Sequence, residues 1–208
     1  MEKKAIGRIE KLSVDHFKSS RRKLYLVFLL YSGEGLKKES LKDYADKLRK
    51  YWKDVEVRID DLRKKLGEVK RIYHELVDVG GKEGLEIIKK FSKESYQLVK
   101  KLFEEKATLE TTEDGKLLRE NMDWGRCLAT NPQSSQVLMK ISQFYLESMQ
   151  KRDEHIARRI DETLKKNETG ILFIRENNNV KLPSDIEIFR ISSPILDDIH
   201  QYLKNLSS

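Results

Sequence analysis

Eight consecutive apolar residues, Leu24-Tyr-Leu-Val-Phe-Leu-Leu-Tyr31, constrain this chain more than any other feature. The run is rich in leucine and aromatics, it does not alternate, and Ser32-Gly33-Glu34-Gly35 stops it. A strand with one wet face alternates apolar and polar residues, so a continuous run predicts a strand buried on both faces, as in a parallel sheet. Ile171-Leu-Phe-Ile174 is a second run of that kind. Neither approaches the roughly 20 residues that span a bilayer, so no membrane span is expected. The basic N-terminus is not followed by the apolar region and cleavage site of a signal peptide. A soluble, cytoplasmic protein is the expectation.

Between and after these runs the period changes. Leu41, Tyr44, Ala45, Leu48, Tyr51, Trp52, Val55 and Ile59 recur at steps of three and four, which predicts a long amphipathic helix from 36 to 66, capped by Gly67. Residues 69–79 read as a strand broken by Gly80-Gly81. Residues 85–103 read as one helix or two, with a break at Ser92, and 107–112 as a third strand. A helix over 113–130 follows. A second long amphipathic helix spans 137–164, with Leu138, Ile141, Phe144, Tyr145, Met149, Ile156, Ile160 and Leu164 on its buried side. Asp185-Ile-Glu-Ile-Phe-Arg-Ile191 alternates and predicts an edge strand; a terminal helix runs from 194 to 206. Strands separated by helices define an α/β protein with a mostly parallel sheet of about 4–5 strands. The two long helices are expected to pack together as an arm.

Charge divides the chain unevenly. The net charge is +7, yet residues 1–70 hold 20 Lys/Arg against 12 Asp/Glu, so the whole surplus lies in the first third. Residues 1–22 form a basic N-terminal segment and 23–208 a single α/β domain. Arg21, Arg22 and Lys23 close the basic stretch and are the candidates for a polyanion contact. Only Phe17 is interleaved with these charges, so the base-stacking signature of a single-strand binder is missing. A polyanion is one candidate partner and a second copy of the chain is another.

Ligands of open parallel sheets gather outside the carboxyl ends of the strands. That rule selects Ser32 and Glu34, His74 and Glu75, Glu113, and the Arg175-Glu176-Asn177-Asn178 stretch. Converging carboxylates there serve acid–base chemistry or a hard cation. The four histidines, at 16, 74, 155 and 200, include no pair at the spacing of a helical zinc site, and the lone Cys127 excludes a disulfide framework. No P-loop, dinucleotide fingerprint or esterase elbow occurs. No metal site and no cofactor are expected.

The segment from Lys151 through Arg152, Asp153, Ala157 and Ile160 to Gly170-Ile-Leu-Phe-Ile174 is a helix leading by a tight turn into an apolar strand. It resembles the closing portion of the TraB/ChaN/erythromycin-esterase-like superfamily, with residues 25–27 as the opening strand. The resemblance implies the α/β fold and a metal-dependent hydrolytic ancestry. The family strand ends in Gly-x-x-His, where this chain has Arg175 and Asn178, and no His follows the opening strand. Asn neither binds a metal nor takes a proton well.

The first reading is therefore a divergent, non-catalytic α/β protein that acts through binding, with a degenerate hydrolase-like site. Arg175 should fill the ancestral pocket, held by Glu75, Glu113 or Asp153, and Arg175, Asn178 and His74 should line the cleft. The alternatives are a metal-dependent or carboxylate-based hydrolase, with Glu75, Glu113, Arg152, Asp153 and Glu176 as catalytic candidates, and a nucleic-acid or anionic-surface module using the basic first third.

Overall fold

The computed structural model describes residues 21–30, 33 and 36–206. In chain order the elements are β1 (Arg22–Leu29), α1 (Lys38–Leu66), β2 (Val69–His74), α2 (Gly81–Phe91), α3 (Lys93–Glu104) and β3 (Thr108–Leu109), followed by α4 (Gly115–Ala129), α5 (Ser135–Thr163), β4 (Thr169–Arg175), β5 (Ile186–Arg190) and α6 (Ile195–Leu206). The strands form one parallel sheet in the order β3-β2-β4-β1-β5.

The order explains the layers. From β1 to β2 to β3 the chain moves toward one edge of the sheet, and from β3 to β4 to β5 it moves back. Crossovers between parallel strands are right-handed, so reversing direction transfers the connection to the opposite face. One face accordingly buries Tyr25, Val27, Ile72, Ile171 and Phe173 beneath residues of α1, α2, α3 and α6. The other buries Leu24, Leu26, Tyr73, Leu172 and Ile174 beneath Ile156 and Ile160 of α5, with Val180 and Leu182 of the β4–β5 connection. β1 and β4 are neighbours in register, Tyr25 against Ile171, and both are covered on two sides, which is why both read as continuous apolar runs. β5 is an edge strand, but its burial does not follow its period: Ile186 is buried, Ile188 is 46% exposed, and Phe189, on the face expected to be wet, packs against the α1 side of the core.

Two expectations change here. The long helices α1 and α5 do not form an arm, because chain direction places them on opposite faces of the sheet. Instead α5 pairs with α4, through Trp124 stacked on Phe144 at 4.9 Å. The expected buried side of α5 also holds only in its C-terminal half. Ile156, Ile160 and Leu164 are buried, whereas Leu138 and Phe144 are exposed and Ile141, Tyr145 and Met149 are intermediate. Helical periodicity marks an apolar stripe but not how far the sheet beneath it extends. The third strand is two residues long, and Ser92 breaks the α2–α3 region into two helices.

Gly170 shows why β4 lies so close to its neighbours. A Cβ there would meet the Leu24, Tyr73 and Leu164 side chains at 3.0, 3.1 and 3.2 Å, so even an alanine would require each of them to give way by a few tenths of an ångström. Among the described residues no helix is long and apolar enough to cross a membrane.

Candidate functional site

The carboxyl edge of β4 is a switch point. The chain leaves both of its neighbours, β1 and β2, toward the α1–α2 face and leaves β4 itself toward the α5 face, so a crevice opens between diverging connections. Four elements bring charged side chains to it. Glu75 directly follows β2, its backbone N–H still donating to Phe173 O at 2.9 Å. Leu76 then turns the chain at φ 77°, a left-handed conformation costly for Leu, and its N–H lies 3.5 Å from Glu113. The β2 and β3 loops are laced together: the N–H groups of Thr112 and Glu113 both donate to Val77 O at 2.9 Å, and His74 N–H donates to Thr112 Oγ1 at 3.1 Å. That lacing fixes Glu113. Asp114 caps α4, accepting from Lys116 and Leu117 N–H, which hold its carboxyl below the usual range. Arg152 and Asp153 come from α5, at the level where that helix reaches the sheet edge.

The side chains converge. Arg152 donates from Nη2 to Glu75 Oε1 at 3.0 Å, from Nε to Glu113 Oε2 at 3.2 Å, and also from Nη2 to Glu113 Oε1. Arg175 donates from Nη1 to Glu75 Oε1 at 2.7 Å and from Nη2 to Asp153 Oδ1 at 2.5 Å, while its backbone N–H reaches Glu75 Oε2 at 2.8 Å. Three carboxylates and two guanidinium groups thus form one network. All but Arg175 are at most 7% exposed at the side chain, and Arg175 is 16% exposed. Burial alone would lower the Arg152 pKa; Glu113 and Glu75 outweigh it and hold the guanidinium above its ordinary value. In so dry a setting each charge depends on its partners, because desolvating an unpaired ion costs several kcal/mol.

Sequence-predicted residues therefore divide. Glu75, Glu113, Arg152, Asp153 and Arg175 meet in one place. Asn178 borders them, its side-chain amide donating to Arg175 O at 2.7 Å, and Asn179 N–H donates to Asp153 Oδ2 at 2.8 Å. Glu176 does not join: it faces away and pairs with His200 at 2.9 Å. His74 is not a cleft residue either. It is wholly buried on the α3 side of the sheet, where Nε2 meets Ser95 Oγ at 2.9 Å and the ring stacks on Phe173. Burial pushes its pKa down to about 4. Consecutive strand residues point to opposite faces, so Glu75 on the site side places His74 on the other.

Arg22 and Lys23 are likewise not free for a polyanion. Arg22 holds Asp161 and Asp185 and donates to the Asp161 carbonyl at 2.9 Å, tying the end of α5 to β1, and Lys23 is 6% exposed. Arg21 is exposed. Ser32, Glu34 and the rest of the basic segment lie outside the described residues.

Two side chains extend the network beyond what sequence reasoning found. Asn121 of α4 accepts from Arg152 Nη1 at 2.8 Å and donates to Ser148 Oγ at 2.8 Å, and both Asn121 and Ser148 are buried. Their signal was present as polar residues on apolar helical stripes, Asn121 three after Leu118 and Ser148 between Tyr145 and Arg152. Arg175 Nε is buried and has no partner among the described residues. A cleft of about 230 Å³ adjoins the network, lined by Gln150, Glu154, Ala157, Asn179 and Lys181; Glu154 follows Asp153 on α5, and Asn179 N–H donates to Asp153. Among the described residues no three His, Cys, Asp or Glu side chains are disposed to hold a metal ion.

No family model, no curated protein and no solved structure matches this chain.

Proposed function

We infer that this is a divergent, non-catalytic α/β protein that acts through binding, with a hydrolase-like site closed by its own arginines. One observation carries the reading: Arg175 spans Glu75 and Asp153 while Arg152 spans Glu75 and Glu113. A carboxylate that already accepts charged hydrogen bonds is a poor general base and a poor ligand for an incoming cation. A catalytic carboxylate needs a route to the substrate proton, and here the guanidinium groups occupy that route.

The cleft beside the network supports a binding role. Its lining offers the carboxylate of Glu154, the ammonium of Lys181 and the amides of Gln150 and Asn179, a set that suits a small polar ligand bearing both donors and acceptors.

The test is an activity and metal screen on the full chain. Wild type and Arg175→Gly should both fail to hydrolyse ester, phosphoester and peptide substrates above the buffer rate. Elemental analysis of protein purified without chelator should find no stoichiometric zinc, manganese or iron. Turnover by wild type that is lost in Glu113→Gln, or one bound metal per chain, would establish the hydrolase reading instead.

A further inference from the structure

The helix α5 is 29 residues long, about 43 Å at the helical rise, and only its C-terminal half lies on the sheet. There Asp153, Ile156 and Ile160 face the sheet edge and face inward at steps of three and four. The same spacing runs back along the helix through Met149, Leu146, Ser142 and Met139, past the last strand residue. This is the period-3.5 seam of a helix that packs on another helix. Its upper half has no such partner among the described residues: Leu146 and Met139 are 64% and 65% exposed, and Ser142 and Met149 are partly so. The intrachain partner α4 lies on a different side of α5, where Asn121 meets Tyr145 and Ser148.

We propose that this seam is a dimer interface, in which α5 of a second copy packs antiparallel across a two-fold axis between Ser142 and Leu146. Charge identifies the occupant. The chain is 37% charged, yet residues 127–146 contain one charged residue, Lys140. The positions flanking the seam on the side away from α4 are Gln136, Gln143 and Gln150. In an antiparallel pair about that axis Gln143 meets Gln143 of the second copy and Gln136 meets its Gln150, so a charge at 143 would face itself. Glutamine against glutamine brings no repulsion, although within α5 the Gln143 and Gln150 amides already donate to Glu147 and Glu154 at 2.8 Å. A partner of different sequence would place no such demand, and an anionic lipid surface would call for cations along the seam. The steric match is also self-complementary: Ser142 faces Leu146 of the second copy, small against large, and Met139 faces Met149.

The seam is about 16 Å long, at the low end of specific interfaces, so the dimer should dissociate in the micromolar range. Sedimentation of the full chain across roughly 1–100 µM should show monomer and dimer in exchange. Leu146→Glu and Met139→Glu, both at exposed positions and therefore compatible with folding, should each raise the dissociation constant at least about tenfold. Cross-linking fixes the geometry. In a Cys127→Ser background, Ser142→Cys mixed with Leu146→Cys should form a disulfide-linked pair, and neither variant should do so alone. The proposal is overturned by a wild type that stays monomeric throughout, by a dimer indifferent to both glutamate variants, by a dimer lost on deleting residues 1–20, or by cross-linking of Leu146→Cys with itself.

Discussion

At the amino edge of the sheet, Arg22 holds Asp161 and Asp185 at 2.7 and 2.8 Å, and both acids are more than half exposed. At the carboxyl edge, Arg152 and Arg175 hold Glu75, Glu113 and Asp153 at similar distances, and all three acids are nearly dry. Residue types and geometry are alike, and Arg22 at 12% exposure is as covered as Arg175 at 16%; the difference lies in the acids, wet at one edge and dry at the other. Water and salt screen the amino-edge pairs, which act as a clasp between β1 and the end of α5. At the carboxyl edge, removing one member leaves an ion with no water to replace it. The same chemistry is a solvated fastening at one end of the sheet and a dry ion network at the other.

The sharpest way to break the comparison is Arg152→Met. It strands Glu113, takes one of two guanidinium partners from Glu75, and should cost about 3–5 kcal/mol in urea unfolding, as breaking one side of a buried ion network does. A value near that of a surface pair would erase the distinction between the edges.

The next effect is one of pH and belongs to the other face of the sheet. Burial lowers the His74 pKa from 6.5 to about 4. Between these values the unfolded chain binds a proton that the folded chain refuses. His74 therefore costs no stability above pH 6.5, and stability falls as the pH drops toward 4, by up to about 1.4 kcal/mol per pH unit and about 3 kcal/mol in all. Urea midpoints measured across that window should show the slope, and His74→Gln should flatten it.

Arg175→Gly comes third. Arg175 is the more exposed of the two arginines, and its loss should lower stability by roughly 1–3 kcal/mol. Smallest is Arg22→Ala, expected at about 1 kcal/mol and diminishing in high salt. Reversal of the order of Arg152→Met and Arg22→Ala would show that burial does not set the scale.

What could be read from the sequence follows the same physics. Continuous apolar runs marked β1 and β4 because both strands are covered on two faces; alternation marked β5 as an edge strand but misassigned its faces, because Ile188 is exposed and Phe189 packs on the core. The rule that sites lie beyond strand ends found Glu75, Glu113 and Arg175 before any geometry was known. It also selected His74 and Glu176, because proximity along the chain does not say to which face a side chain turns. Asn121 and Ser148 were missed as lone polar residues on apolar stripes, which acquire meaning only when the facing helix is known. The α4–α5 pairing was hidden for the reason that α1 with α5 looked attractive: periodicity reports a stripe and not its partner.

The closed site is tested most directly by a double-mutant cycle between Arg175 and Asp153, with Arg175→Met and Asp153→Asn measured singly and together by urea unfolding. If the guanidinium lies buried between Glu75 and Asp153, the two changes are non-additive, with a coupling energy of about 1–3 kcal/mol. Additivity within about 0.5 kcal/mol would mean that Arg175 stands in solvent and that the site is open.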